Sequence, residues 1–78
     1  MKREQMIAEI QKQEAALFLM LKQTERDYGT DASLTTQLRT RWGTIIDLMA
    51  DLGIEQDFML PDSKQALAII LAERDKAA

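Results

Sequence analysis

The chain has 78 residues, no cysteine, no histidine, and a formal charge of −3 from 13 acids against 10 bases. That length allows one domain at most, near the size at which a single core supplies only a few kcal/mol. The missing cysteine and histidine remove disulfides, thiolate chemistry, the common zinc sites and the usual general base at neutral pH, which leaves oligomerisation as the remaining external aid to stability.

The opening MKREQMIAEIQKQE starts basic, as a secretory signal does, but Glu4, Glu9, Gln11, Gln13 and Glu14 interrupt the apolar stretch a signal requires. Residues 3–27 hold no helix breaker and consist mostly of strong helix formers, so the first predicted helix covers them. Ile7, Ile10, Leu17, Leu21, Thr24 and Tyr28 mark one stripe along it, with Glu14 as a break. Met6, Ile10, Leu17 and Met20 mark a neighbouring stripe. AALFLML, residues 15–21, is apolar around the whole helix circumference. It is far shorter than the ~20 apolar residues that cross a bilayer. The expectation is therefore a cytoplasmic protein with no membrane contact.

Gly29 fits a left-handed helix end, and Thr30, Asp31 or Ser33 can cap a second helix over residues 32–52. So short a link folds two long helices back antiparallel. Leu34, Leu38, Trp42, Ile45, Leu48 or Met49, and Leu52 recur at helical spacing, while Gln37, Thr40, Thr44, Asp47 and Asp51 take the other side. Leu52-Gly53-Ile54 reads as a Schellman ending. In the connection IEQDFMLP, Ile54, Phe58, Met59 and Leu60 are apolar enough to predict a loop laid over the end of the hairpin. Asp62 with Gln65 reads as a capping box opening a third helix over residues 63–76. Its run ALAIILA answers AALFLML, with Leu67, Ile70 and Leu71 expected inward and Ala66, Ile69 and Ala72 outward.

The predicted fold is all-α: one domain over residues 1–78, a long antiparallel hairpin plus a shorter third helix, dimerising into a larger bundle. Leu17 and Leu21 are expected to face helix two, and Phe18 or Met20 to face helix three. The candidate dimer or partner interface comprises Ala15, Ala16, Phe18, Leu19 and Ile69, with Phe58, Met59 and Leu60 as a docking edge.

The sites that could carry chemistry are weak. Asp47 and Asp51 share a helix face without a third ligand, and ERDYGTDAS lacks the ligand spacing of a calcium loop. QLRTRW places Arg39 and Arg41 beside Trp42, which reads as a core or interface anchor with packed arginine stems and not as a phosphate groove. The five methionines read as gap fillers. Scattered bases make nucleic acid a poor partner.

No catalytic residue, metal ligand or cofactor site is predicted. The expected function is a homodimeric protein-interaction or regulatory module without catalysis, in the style of a bacterial adaptor, with a further protein partner possible. The first alternative is a nucleic-acid-associated regulator. The second is a small dimeric enzyme, because the chain is similar in size and helix count to three-helix chorismate mutases. Lys12, Lys22 and Arg26 depart from the cationic pattern by which those enzymes hold a dicarboxylate.

Overall fold

A computed structural model describes residues 2–77, so both expected domain limits, Met1 and Ala78, lie outside the described residues. It contains three helices, α1 (Arg3–Tyr28), α2 (Ser33–Leu52) and α3 (Pro61–Ala77). Both α2 and α3 pack on α1, and they do not pack on each other. The molecule is thus an open arrangement around a central α1, elongated to 43 × 25 × 17 Å.

Each helix boundary has a local cause. The Lys2 N–H donates to Gln5 Oε1 at 3.2 Å, so a residue one turn along closes the start of α1. Gly29 ends α1 with φ 91° and ψ 163°, a positive φ as expected, though in an extended region open to glycine and not in the left-handed helical well. The predicted cap of α2 by Thr30, Asp31 or Ser33 is corrected. Ala32 occupies the N-cap position and offers no side-chain acceptor. Thr35 instead ties the turn by donating its hydroxyl to the Gly29 carbonyl at 2.8 Å.

At the far end of α2 the Schellman ending is present. Gly53 has φ 69° and ψ 28° and its N–H bonds the Ala50 carbonyl, while the Ile54 N–H reaches the Met49 carbonyl at 2.8 Å. The third helix starts earlier than the capping box implied. The Leu60 carbonyl accepts the Lys64 N–H at 3.0 Å, which makes Pro61 the first helical residue and places Asp62 inside the first turn. Proline suits that position because it lacks only an N–H that would have no helical partner, and its φ is already helical.

The core between α1 and α2 is built from Phe18, Leu21, Leu38 and Met49, all buried. Phe18 stacks on Trp42 with centroids 5.5 Å apart and 25° between planes, so Phe18 faces α2 and not α3. On the α3 side the inward residues are small: Ala15 and Ala66 are 0% exposed and Ser63 is 1%. This corrects the expected orientation of α3 at three positions: Ala66 points inward and Leu67 and Leu71 outward, while Ile69 and Ile70 are both half-buried and Ala72 is exposed as expected. Small side chains let two helix backbones approach closely, which favours turning Ser63 and Ala66 toward Ala15 over burying the two leucines.

Candidate interaction face

Helical geometry sorts the remaining surface of α1 and α2. A residue advances 100° along a helix, so positions three and four apart share an edge. One edge of α1 carries Met6, Ile10, Gln13, Leu17, Met20 and Tyr28, with Thr24 of the same row buried, and the matching edge of α2 carries Leu34, Arg41, Ile45, Leu48 and Leu52. The two edges lie on the same side of the hairpin, because Met6, Ile10, Leu52 and Ile54 together line a groove of about 320 Å³ at its end. Along this face Met6, Met20, Tyr28, Leu34, Leu48 and Leu52 are between 47% and 70% exposed. Six large apolar side chains left open on one face, with Ile10, Leu17 and Ile45 half-buried among them, are the informative observation, since single exposed leucines are ordinary.

The opposite side of the hairpin is finished differently. There Lys22 pairs with Glu25 at 3.2 Å and lies 5.8 Å over the Phe18 ring, and Arg39 bonds both Glu25 at 3.4 Å and the Thr30 carbonyl at 3.2 Å. The start of α3 comes down beside Glu9, Lys12, Gln13, Ala15 and Ala16, so it reaches from the buried Ala15 round the back of α1 as far as Gln13. One side of the hairpin is therefore covered and ion-paired, and the other is apolar and open.

The residues assigned to a partner face by sequence fall elsewhere. Ala15 is wholly buried and Phe18 is 8% exposed against Trp42, so neither presents a side chain to a partner. Ala16, Leu19 and Ile69 are half-buried on the side where α1 meets α3. Phe58 and Met59 stand out at the loop tip, 46% and 72% exposed, with Leu60 half-buried behind them. The loop itself covers the end of the hairpin. Gln11 Nε2 donates to the Glu55 carbonyl at 2.9 Å, Asp57 Oδ1 accepts the Met59 N–H at 3.0 Å, and Ile54 and Phe58 line a cleft over Met49 and Ile46.

Glu14 is not the break in the stripe that its charge implied. It sits at the centre of the α1–α2 contact, 1% exposed, and its Oε2 accepts the Trp42 indole N–H at 2.8 Å while Oε1 has no partner among the described residues. A helper signal was present in the sequence: a lone tryptophan on an apolar stripe needs an acceptor for its N–H, and Glu14 is the charged residue on the facing stripe. Asp47, Asp51 and Arg41 are exposed. Among the described residues no three acidic, cysteine or histidine side chains converge as a metal site would require, and no helix is long and apolar enough to cross a membrane. Compared with models of protein families, with curated proteins and with solved structures, the chain matches none.

Proposed function

We propose that this chain is a non-catalytic helical interaction module that works by pressing the open face of its α1–α2 hairpin against another helical surface. The observation that supports the reading is the alignment of Met6, Met20, Tyr28, Leu34, Leu48 and Leu52 on that one face, each about half exposed or more. Such a patch gains free energy at ~25 cal/mol per Å² when another apolar surface removes it from water, and it gains nothing within the isolated chain. The only formal charge within the α2 edge, Arg41, has a long aliphatic stem that can lie on a partner while its head reaches the rim.

The face carries its own reporters. Met6 and Met20 lie on it, Met59 projects from the loop at 72% exposure, and Met49 is buried at 2%. Peroxide oxidation followed residue by residue should find Met6 and Met20 reacting nearly as fast as Met59 in the dissociated chain, and much faster than Met49. Their rates should fall when the protein is concentrated or given its partner. Rates at Met6 and Met20 that match Met49 in the dissociated chain would mean that the face is closed by the chain's own atoms, and the reading would fail.

A further inference from the structure

Resting on that reading, we infer that the occupant of the hairpin face is a second copy of this chain, so that two hairpins stack face to face into a four-helix layer with an α3 on each outer side. The first argument is area. The chain exposes 5670 Å², whereas a monomeric protein of 8.9 kDa exposes roughly 4,800 Å². The difference, roughly 900 Å², is close to the ~800 Å² that each partner buries in an interface of standard size. A second copy therefore removes about the surface that this chain carries in excess.

The second argument is self-complementarity. The open face runs nearly the full length of both helices, from Met6 to Tyr28 and from Leu34 to Leu52. A twofold axis lying in that face sets apolar edge on apolar edge wherever the two hairpins overlap, which is the requirement of an isologous contact. Charge fits the same arrangement. Glu9, Asp27 and Asp51 flank the face at positions about 60–100° outward of its edges. They supply acids around a surface whose central charged residue is the cation Arg41, with Arg3 at its end beside the Met6 and Leu52 groove. A central cation and an acidic rim on the same surface suit a copy of itself, because Arg41 of each chain can reach the opposite rim. A partner of strong single charge would meet one of the two signs unfavourably.

The third argument is what the other surfaces lack. The side where α3 meets α1 is filled by Ala15, Ser63 and Ala66, and the outward leucines of α3, Leu67 and Leu71, form a narrow strip on one helix. A strip on a single helix offers less area than a two-helix face of the hairpin's length.

The test is solution mass by light scattering across a dilution series, with helix content followed by circular dichroism. Four chains are compared: wild type, Leu48→Glu on the α2 edge, Met20→Lys on the α1 edge, and Leu71→Glu on α3 as a control of similar exposure. Leu48 and Met20 are 47% and 48% exposed, so either replacement keeps its charge in water in the dissociated chain. The expected result is twice 8.9 kDa for wild type and for Leu71→Glu, and 8.9 kDa with retained helix content for the other two, whose dissociation constants rise by at least about 30-fold. A wild type that stays monomeric at the highest concentration, with Met6 and Met20 freely oxidised, overturns the second copy and leaves the face open for a different protein. A dimer that survives both Leu48→Glu and Met20→Lys places the contact elsewhere and overturns the inference and the reading of the face together.

Discussion

Replacing Trp42 by phenylalanine removes one hydrogen-bond donor from the centre of the α1–α2 contact and keeps an aromatic ring stacked on Phe18. In the wild type the indole N–H lies 2.8 Å from Glu14 Oε2, and the other carboxylate oxygen has no partner. A hydrogen bond to a carboxylate contributes ~1.5–3 kcal/mol, and deleting it strands a side chain only 1% exposed with both oxygens unpaired. The smaller ring also gives up some packing, so the expected loss is about 3 kcal/mol. A domain of this size has a total stability of roughly 4–12 kcal/mol, which makes the change visible as a fall in melting temperature of ~10–20 °C. Urea unfolding followed by far-ultraviolet circular dichroism, at one fixed protein concentration, measures it without the lost fluorophore. The companion chain is Glu14→Met, which fills similar volume without a charge. In that background Trp42→Phe should cost less than ~1 kcal/mol, leaving a coupling of about 2 kcal/mol between the two positions. Equal costs in both backgrounds, within ~0.5 kcal/mol, would refute the argument that the indole N–H satisfies a buried carboxylate.

Gly43 lies inside α2 with nothing within 4 Å of the position a Cβ would take, so Gly43→Ala should stabilise by ~1 kcal/mol and raise the melting temperature without changing solution mass. Ala32→Ser supplies the side-chain acceptor that the N-cap of α2 lacks, and thermal unfolding should show a gain of about 1 kcal/mol. Gly53→Ala forces a Cβ into φ 69° at the end of α2. It should cost ~1 kcal/mol, read as a lower urea midpoint with an unchanged slope.

The elements were legible because their signals are local. Strong helix formers from Arg3 onward and the Gly53-Ile54 ending each act within one turn of the chain and appear where their chemistry requires, whereas reading Asp62 and Gln65 as a capping box placed the start of α3 two residues late. What is not local was harder to read. Periodicity marks a stripe without saying which neighbour it meets, so the Met6–Met20 stripe and the Leu34–Leu52 stripe could be recognised but not recognised as open. ALAIILA is apolar in every direction, so nothing within it distinguished the alanine side from the leucine side. Only Ala66 of the run is fully buried against α1, so the packing of α3 turns on that one small residue with Ser63 and Ala15. Glu14 was misread because a charge in a stripe ordinarily marks a water-facing position, a rule that the indole of Trp42 overrides from the other helix.

The open arrangement explains why AALFLML is apolar all round. Since α2 and α3 lie on α1 without touching, the circumference of α1 is divided into three sectors. Phe18 and Leu21 belong to the sector under α2, and Ala15 to the sector under α3. Met20, about half exposed, belongs to the third with the half-buried Leu17, a sector on which neither α2 nor α3 is centred. Within a lone chain, glutamine or lysine at Met20 would sit as comfortably in water and would keep the helix, since both are strong helix formers. The folding of the isolated chain therefore gives no reason for methionine there, nor for Leu48 on the facing edge, which is also about half exposed. On the proposed reading, contact with a second surface accounts for the composition of the third sector and ties the apolar run in the sequence to association.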